Sequence, residues 1–261
     1  MEFASKAVRE IQQQCLEQTT VGIPELDVFA SQGLITRVHA TLTSGKEGTV
    51  YCCRAHPSTR RKFLAAKVYR EHAASAHKWS QTYFEGRERV LEQKHIHAIQ
   101  ARTQYGRALA RSLWVSAEYE GLCTLHAAGA DTPEPVAVGE RVILMEYIGN
   151  GAGPAPLLRD AGLSTEEARD LYRQILSNVS LMLRHHLVHG DLSAYNILVW
   201  RGRGWIIDLP QAVDARFNTS AFDLLRRDVA NVSGFFAKHG VASDPDAVSH
   251  ELWKRYRAAQ L

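Results

Sequence analysis

The spacing of hydrophobic residues changes along this chain, and that change limits the fold more than any other feature. "LITRVHATLTSGKEGTVYCCRA", Leu34 to Ala55, alternates apolar and polar residues around a Ser-Gly-Lys-Glu-Gly turn, the pattern of strand, turn, strand. "KFLAAKVYR" supplies a third strand, and "TPEPVAVGERVILMEYIG" two more short ones, broken at Pro133, Pro135 and Gly139. Beyond Ser164 the spacing becomes helical. Ser164 and Glu167 form a capping box, and Leu171, Ile175, Val179, Met182 and Leu183 then fall on one helix face. "SAFDLLRRDVANVSGFFAKHG" predicts another amphipathic helix through Leu224, Leu225, Val229, Val232 and Phe236, ending at Gly240. "NILVW" and "WIID", joined by a Gly-containing turn, read as a β-hairpin inside this helical half. Strands first and helices later point to an α+β protein of two lobes.

The remaining segments complete the scheme. Residues 4–17 predict a short amphipathic helix with Val8, Ile11 and Cys15 on one face, and "PELDVFASQG" a second that stops at Gly33. "SLWVSAEYEGLCTLHAAG" predicts a helix with an apolar stripe of Trp114, Ala117, Leu122 and Leu125, stopped by Gly129. "GNGAGPAPLL", residues 149–158, is rich in Gly and Pro and is the expected hinge. The expected organisation is an N-terminal helical extension over 1–36, a strand-rich lobe over 37–148 with a basic, His-rich insertion at about 72–111, and a helix-rich lobe over 149–261.

Composition excludes several classes. With a formal net charge of +3 over 261 residues, nothing argues for bulk nucleic-acid binding or an anionic membrane. The basic, His-rich insertion could touch RNA or an acidic protein patch, although a solvated segment is the expectation. Four cysteines, Cys15, Cys52, Cys53 and Cys123, contain no C-x-x-C pair, and a reducing cytosol fits them. The first twenty residues are charged and interrupted, unlike a signal peptide, and no apolar run is long enough to cross a bilayer.

Four places carry chemistry. In "TSGKEGTV" glycines let backbone N–H groups approach phosphate oxygens, and Lys46 adds a mobile charge; no Walker A spacing is present, and alone this reads equally as a hairpin turn. Lys67 stands inside the apolar strand "LAAKVYR", where a lysine is costly unless it is paired or meets an anion; the plain alternative is an exposed edge strand. Glu118 on the following helix is an acid that could hold it. In "LVHGDLSAYNILVW", Asp191 and Asn196 have the spacing of a proton acceptor and a metal ligand, although both types also favour turns. Asp208 ends the apolar run "WIID", and an acid there beside Asp191 and Asn196 makes an oxygen-rich site suited to Mg²⁺.

These segments, with "TPEPV", "ILMEYIG", "WIIDLPQAVD" and "FDLLRRDVANVSGFF", resemble the RIO family of atypical serine/threonine protein kinases, nearer its type 1 branch, from about residue 20 to about 240. The resemblance implies a small kinase-like fold without an activation segment, using ATP and Mg²⁺, with Mn²⁺ as a substitute metal. It implies that Ser44, Gly45 and Lys46 lie over the phosphates and that Val50 lines the nucleotide site. Lys67, oriented by Glu118, would hold the α/β-phosphates. Glu146 and Ile148 would offer backbone hydrogen bonds to the adenine, with Met145 behind it. Asp191 would be the acid/base, and Asn196 and Asp208 the metal ligands, Asp208 also being able to take up phosphate. The expected partners are ATP and a protein acceptor or the chain itself, with association with small ribosomal subunits implied by the family. No membrane and no sequence-specific nucleic acid are expected.

One residue differs from ordinary protein kinases in keeping with the family's pattern, and two places depart from the family itself. Gly190 occupies the place of the Arg that pairs with activation-loop phosphate in ordinary protein kinases. Gly48 replaces the family's small residue, often Ala, and is expected to loosen the turn. Leu209-Pro210 replaces Val-Ser, and Pro210 removes a backbone donor beside the metal. Two alternatives stay open at this point: a small-molecule phosphotransferase of the aminoglycoside or choline kinase type, which shares the "HGD", Asn and later Asp, and an ATP-binding switch on a ribosomal particle.

Overall fold

The computed structural model describes residues 22–70, 93–101 and 103–261. In chain order its main elements are α1 (Pro24–Ser31), β1 (Ile35–Ser44), β2 (Gly48–Ala55), β3 (Phe63–Tyr69), α2 (Gln93–Gln100), α3 (Gln104–Ala127), β4 (Pro135–Val138) and β5 (Val142–Glu146). There follow β6 (Gly149–Asn150), β7 (Gly153–Pro154), α4 (Thr165–Arg184), β8 (Leu187–Val188), β9 (Ile197–Trp200), β10 (Arg203–Ile206), β11 (Val213–Asp214), α5 (Ala221–Ala237) and α6 (Pro245–Arg257). The expected helix over 4–17 and residues 72–92 of the insertion lie outside the described residues. The described residues form two compact units, one of residues 22–70 with Val136–Tyr147, the other holding the remainder.

The first unit is a five-stranded sheet in the order β1-β2-β3-β5-β4. Its two faces follow from register, because directly opposed residues in antiparallel strands point the same way. Cys53 opposite Leu64, and Ala66 opposite Leu144, turn toward α1, where Leu26 and Phe29 complete a core. Val50 opposite Lys67, and Ala65 opposite Met145, put Val50, Lys67 and Met145 on the other face. β3 is the middle strand and is buried from Leu64 to Tyr69, which explains why "FLAAKVY" lacks clean alternation. The edge-strand alternative for Lys67 is therefore wrong.

Gly48 corrects an expectation. It belongs to β2, opposite Tyr69, and a Cβ on it would come within 2.4 Å of the Val68 carbonyl oxygen. The missing side chain lets β2 and β3 close tightly, so Gly48 tightens the base of the turn rather than loosening it.

In the second unit, α4 forms as its spacing predicts, with both halves of the Ser164–Glu167 capping box present and Leu171, Ile175, Val179, Met182 and Leu183 all buried. The helix carrying Glu118 starts at Gln104, earlier than its apolar stripe indicated. Thr103 caps it by accepting the Gly106 N–H at 2.9 Å, and Gly106 lies against the Ala98 carbonyl. Close backbone packing, not an apolar stripe, positions that first turn. The Gly/Pro run is a small folded element rather than a bare linker: β6 and β7 pair, Ala155 N–H donates to the Ile148 carbonyl at 2.9 Å, and Leu158 is fully buried. Helix α6 had no counterpart in the sequence reading. Its signals were Asp244, which accepts the Ala247 N–H at 3.0 Å, and Pro245 in the first turn. Among the described residues no helix is long and apolar enough to cross a membrane.

Gly48→Ala is expected to destabilise the protein by about 1–3 kcal/mol, the usual range for overpacking a close contact. Denaturant unfolding checks this; an unchanged midpoint would contradict the close strand approach.

Candidate active site

The segment His189–Asn196 runs from β8 toward β9, and its backbone is held from two sides. From α5, the Asp228 carboxylate accepts the Gly190 N–H at 2.7 Å and the Leu192 N–H at 2.9 Å. Arg227 donates to the Gly190 carbonyl, and Asn231 donates to the Leu192 carbonyl at 3.2 Å. From the loop itself, His189 Nδ1 accepts the Asp191 N–H at 3.3 Å while its Nε2 lies 3.1 Å from the Ile207 carbonyl. Gly190 is left-handed (φ 77), and a Cβ there would stand 2.7 Å from the Gln211 carbonyl oxygen. An Arg at this position is therefore excluded by backbone geometry.

Asp191 is thus fixed through the N–H groups on either side of it. Among the described residues its carboxylate has no hydrogen-bond partner. Asn196 Nδ2 donates to the Asp191 carbonyl at 2.8 Å, which commits the amide nitrogen and leaves Oδ1 as an acceptor. The β9–β10 hairpin brings in Asp208. Ile197 is opposite Ile206, and one step further Ile207 N–H donates to the Asn196 carbonyl at 3.0 Å, so Asp208 comes one residue beyond the pairing with Asn196. Asp208 itself is left-handed (φ 70).

An amide oxygen and a carboxylate are hard donors that suit Mg²⁺, which keeps water and substrate phosphates as its other ligands. Among the described residues no group of three or more His, Cys, Asp or Glu could hold a metal.

The strands around Asp208 are seated on a second polar cluster. Asp131 accepts from Gln174 at 2.7 Å and Asn178 at 2.9 Å, and pairs with Arg203. Its carbonyl accepts the Ile206 N–H at 2.8 Å, and Gln174 accepts the Gly204 N–H at 3.0 Å. β10 is tied down at three residues just before Asp208. Beyond it, the Pro210 carbonyl accepts Trp114 Nε1 from α3 at 2.8 Å. Pro210 lacks an N–H but contributes an anchor. Glu118, one turn after Trp114, is 2% exposed.

In the first unit, Lys67 is 8% exposed, with its Nζ 4.9 Å from the Tyr69 ring centre. Ser44 Oγ lies 3.1 Å from Thr49 Oγ1 and accepts from Arg70 at 3.0 Å, and Gly45 N–H donates to the Gly48 carbonyl at 2.9 Å. The turn is pinned at its base and leaves Lys46 exposed at its tip. Glu146 is opposite Leu64, so its side chain leaves the face of Lys67 and Met145. Ile148 belongs to the second unit, and its carbonyl already accepts from Ala155.

Arg227, Asp228 and Asn231 were missed in the sequence. The signal was present: Asp228 interrupts the buried stripe of α5 between Leu225 and Val232, as Lys67 interrupts β3. Burial pushes the Asp228 carboxyl up to about 6, against the lowering influence of His189, the two N–H donors and Arg227.

Residues 49–248 match the family model described as RIO domain. The chain belongs to the RIO family. It is 38% identical over 143 residues to the RIO-type serine/threonine-protein kinase Rio1 of Thermoplasma acidophilum, covering 55% of this chain and 74% of that one. It is 33% identical over 242 residues to the human serine/threonine-protein kinase RIO1, covering 91% of this chain and 39% of that one. The Schizosaccharomyces pombe rio1 kinase is 32% identical over 237 residues, with 89% and 44% covered. The chain therefore spans about two fifths of the length of these two eukaryotic relatives. Its fold matches the Rio2 kinase–ADP/Mg²⁺–phosphoaspartate complex of Chaetomium thermophilum with a TM-score of 0.64 at 20% identity, over 88% of this chain and 64% of that one. The fold is the α+β, kinase-like one.

Two outcomes are expected for Asp228. Asp228→Ala leaves two buried N–H groups unpaired and should cost about 2–4 kcal/mol. The folded carboxyl near 6 lies above its ordinary 3.8, so the folded chain holds a proton between those values that the unfolded chain has released. This contribution to stability is complete below about pH 4 and is lost as pH rises through 6. Relative to Asp228→Asn, the parent should lose stability between pH 4 and 7. A pH-independent difference between the two unfolding free energies would contradict the assignment.

Proposed function

We propose that the chain is an ATP- and Mg²⁺-dependent RIO-type serine/threonine kinase that also hydrolyses ATP slowly through phosphorylation of Asp208. The observation that carries this reading is the joint fixing of Asp191, Asn196 and Asp208 by one loop and one hairpin register. In this reading Lys67 neutralises the α/β-phosphates and is oriented by Glu118. Ser44, Gly45 and Lys46 cover the phosphates, Val50 and Met145 flank the base, and the Glu146 carbonyl and Ile148 N–H bond its edge. Mg²⁺, when bound, neutralises charge on the phosphate oxygens.

Asn196 offers Oδ1 and Asp208 a carboxylate oxygen to that ion. Asp191 accepts the proton of an acceptor hydroxyl as the oxygen attacks phosphorus and ADP departs with the bonding electrons. Without an acceptor, an Asp208 oxygen attacks instead, and water later cleaves the acyl phosphate to regenerate the carboxylate. Asp191 is the group placed to take the proton of that water. The phospho-acceptor is a serine or threonine of a partner protein or of the chain itself. The free, buried Cys52 and Cys53 agree with action in a reducing cytosol.

The test is ATP turnover and autophosphorylation with Mg²⁺. Asp191→Ala should lower turnover by about 10²–10⁴-fold, the usual contribution of a positioned general base, and leave ATP binding intact. Asp208→Ala should abolish hydroxylamine-sensitive label. Full turnover in Asp191→Ala, or label confined to hydroxylamine-resistant phosphoserine, would overturn the corresponding assignment. Phosphorylation of aminoglycosides or choline would restore the small-molecule alternative.

A further inference from the structure

The sheet face that carries Lys67 continues toward the opposite end of β3, where its chemistry changes. Two residues before Lys67 comes Ala65, and two before that Phe63, on the same face. Phe63 is opposite Arg54, and Arg54 is opposite Arg37, so a row of two guanidinium groups and a ring crosses three strands. Lys62 Nζ lies 5.5 Å and Arg54 Cζ 5.6 Å from the Phe63 ring centre. The His39 and Tyr147 rings flank the same ring at 5.1 and 5.7 Å. Arg37, His39, Arg54 and Lys62 are exposed, and Phe63 and Tyr147 are half-buried.

Among the described residues no acid pairs with this cluster. Between Ile35 and Ala66 the sequence has one acid, Glu47, in the turn at the far end of the β1–β2 hairpin. Glu146 is opposite Leu64 and so faces the other way. Among the described residues, Arg37, Arg54 and Lys62 have no ion pair. Elsewhere among the described residues some exposed arginines are ion-paired, Arg159 with Asp160, Arg173 with Asp170 and Arg216 with Asp214, and others such as Arg169 and Arg226 are not, so the interleaved rings rather than the missing ion pairs distinguish this cluster. Three uncompensated cations interleaved with two aromatic rings and a histidine are the features a flexible polyanion with stacking bases requires. A carboxylate peptide would use the cations but has no need of the rings.

We propose that Arg37, His39, Arg54, Lys62, Phe63 and Tyr147 form a docking surface for single-stranded nucleic acid. Binding there is independent of base sequence, with the cations on phosphates and the His39 and Phe63 rings against bases. It is separate from the phosphoryl-transfer groups, since Lys67 lies two alternations further along β3.

The experiment uses the full chain and fluorescein-labelled 12-mers of oligo(U) and oligo(dT), with a 12-residue polyglutamate peptide as the rival polyanion, followed by anisotropy. The nucleic acids should bind, and the peptide should not compete at equal charge. With three phosphates neutralised, log Kd should rise with log salt at a slope of about 2. The charge reversals Arg54→Glu and Lys62→Glu together should weaken binding at least tenfold while ATP affinity and the unfolding midpoint stay unchanged. Phe63→Leu keeps the charges and should weaken binding about 5–50-fold, the range for loss of one stacked base. Equal losses for oligo(U) and oligo(dT) mark a site blind to the 2′-hydroxyl, and a loss in one alone restricts the site to that nucleic acid; either result upholds the surface. Equal competition by polyglutamate would assign it to acidic protein segments and overturn the proposal. So would undiminished binding in the double charge reversal.

Discussion

A single buried carboxylate organises the segment on which the proposed chemistry depends. Asp228 reaches out of α5 and takes the N–H groups of Gly190 and Leu192, the residues on either side of Asp191. Two charge-assisted hydrogen bonds to adjacent backbone groups leave the intervening residue little freedom. The cost is a carboxylate out of water, visible in its raised proton affinity. Arg227 and Asn231 on the same helix take the carbonyls of Gly190 and Leu192, so both polar groups of each residue are satisfied. The left-handed Gly190 is what allows the chain to present those groups inward. The same constraint removes the position at which ordinary kinases read activation-loop phosphate.

The second constraint is register. Asn196 and Asp208 are twelve positions apart in sequence, and the two-residue turn of the β9–β10 hairpin returns the chain so that one follows the other across the strands. A slip of one residue would turn every side chain in the hairpin over. Asp131 and Gln174 hold β10 at Arg203, Gly204 and Ile206, which resists such a slip. Asn178 keeps Asp131 in place from α4, donating to its carboxylate and accepting its N–H at 2.8 Å. The capping box and apolar face of α4 therefore bear on the site through two polar side chains.

Much of this was legible. Alternation gave the hairpins, the three-to-four spacing gave α4 and α5, and a lysine inside an apolar run marked Lys67 as unusual. The spacing of Asp191, Asn196 and Asp208 was visible because each is a local motif. Asp228 was not singled out, although it breaks an apolar stripe by the same logic as Lys67. Its partners are backbone N–H groups more than thirty residues away, and no sequence pattern records them. Gly48 misled for a related reason. Glycine was read as freedom, but at this site the missing side chain serves a close contact with β3 that only the paired strand reveals. The start of α3 at Gln104 rests on Gly106 meeting α2, again a contact and not a period. Local motifs could be read directly; the residues that position them required the fold.

The central claim is that Asn196 Oδ1 and the Asp208 carboxylate together hold a divalent ion beside Asp191. Mn²⁺ titration followed by electron paramagnetic resonance, with a non-hydrolysable ATP analogue present, tests it most directly. Asn196→Leu and Asp208→Ala should each weaken Mn²⁺ binding at least tenfold while the analogue still binds in metal-free buffer. Mn²⁺ affinity unchanged in both variants would contradict the account.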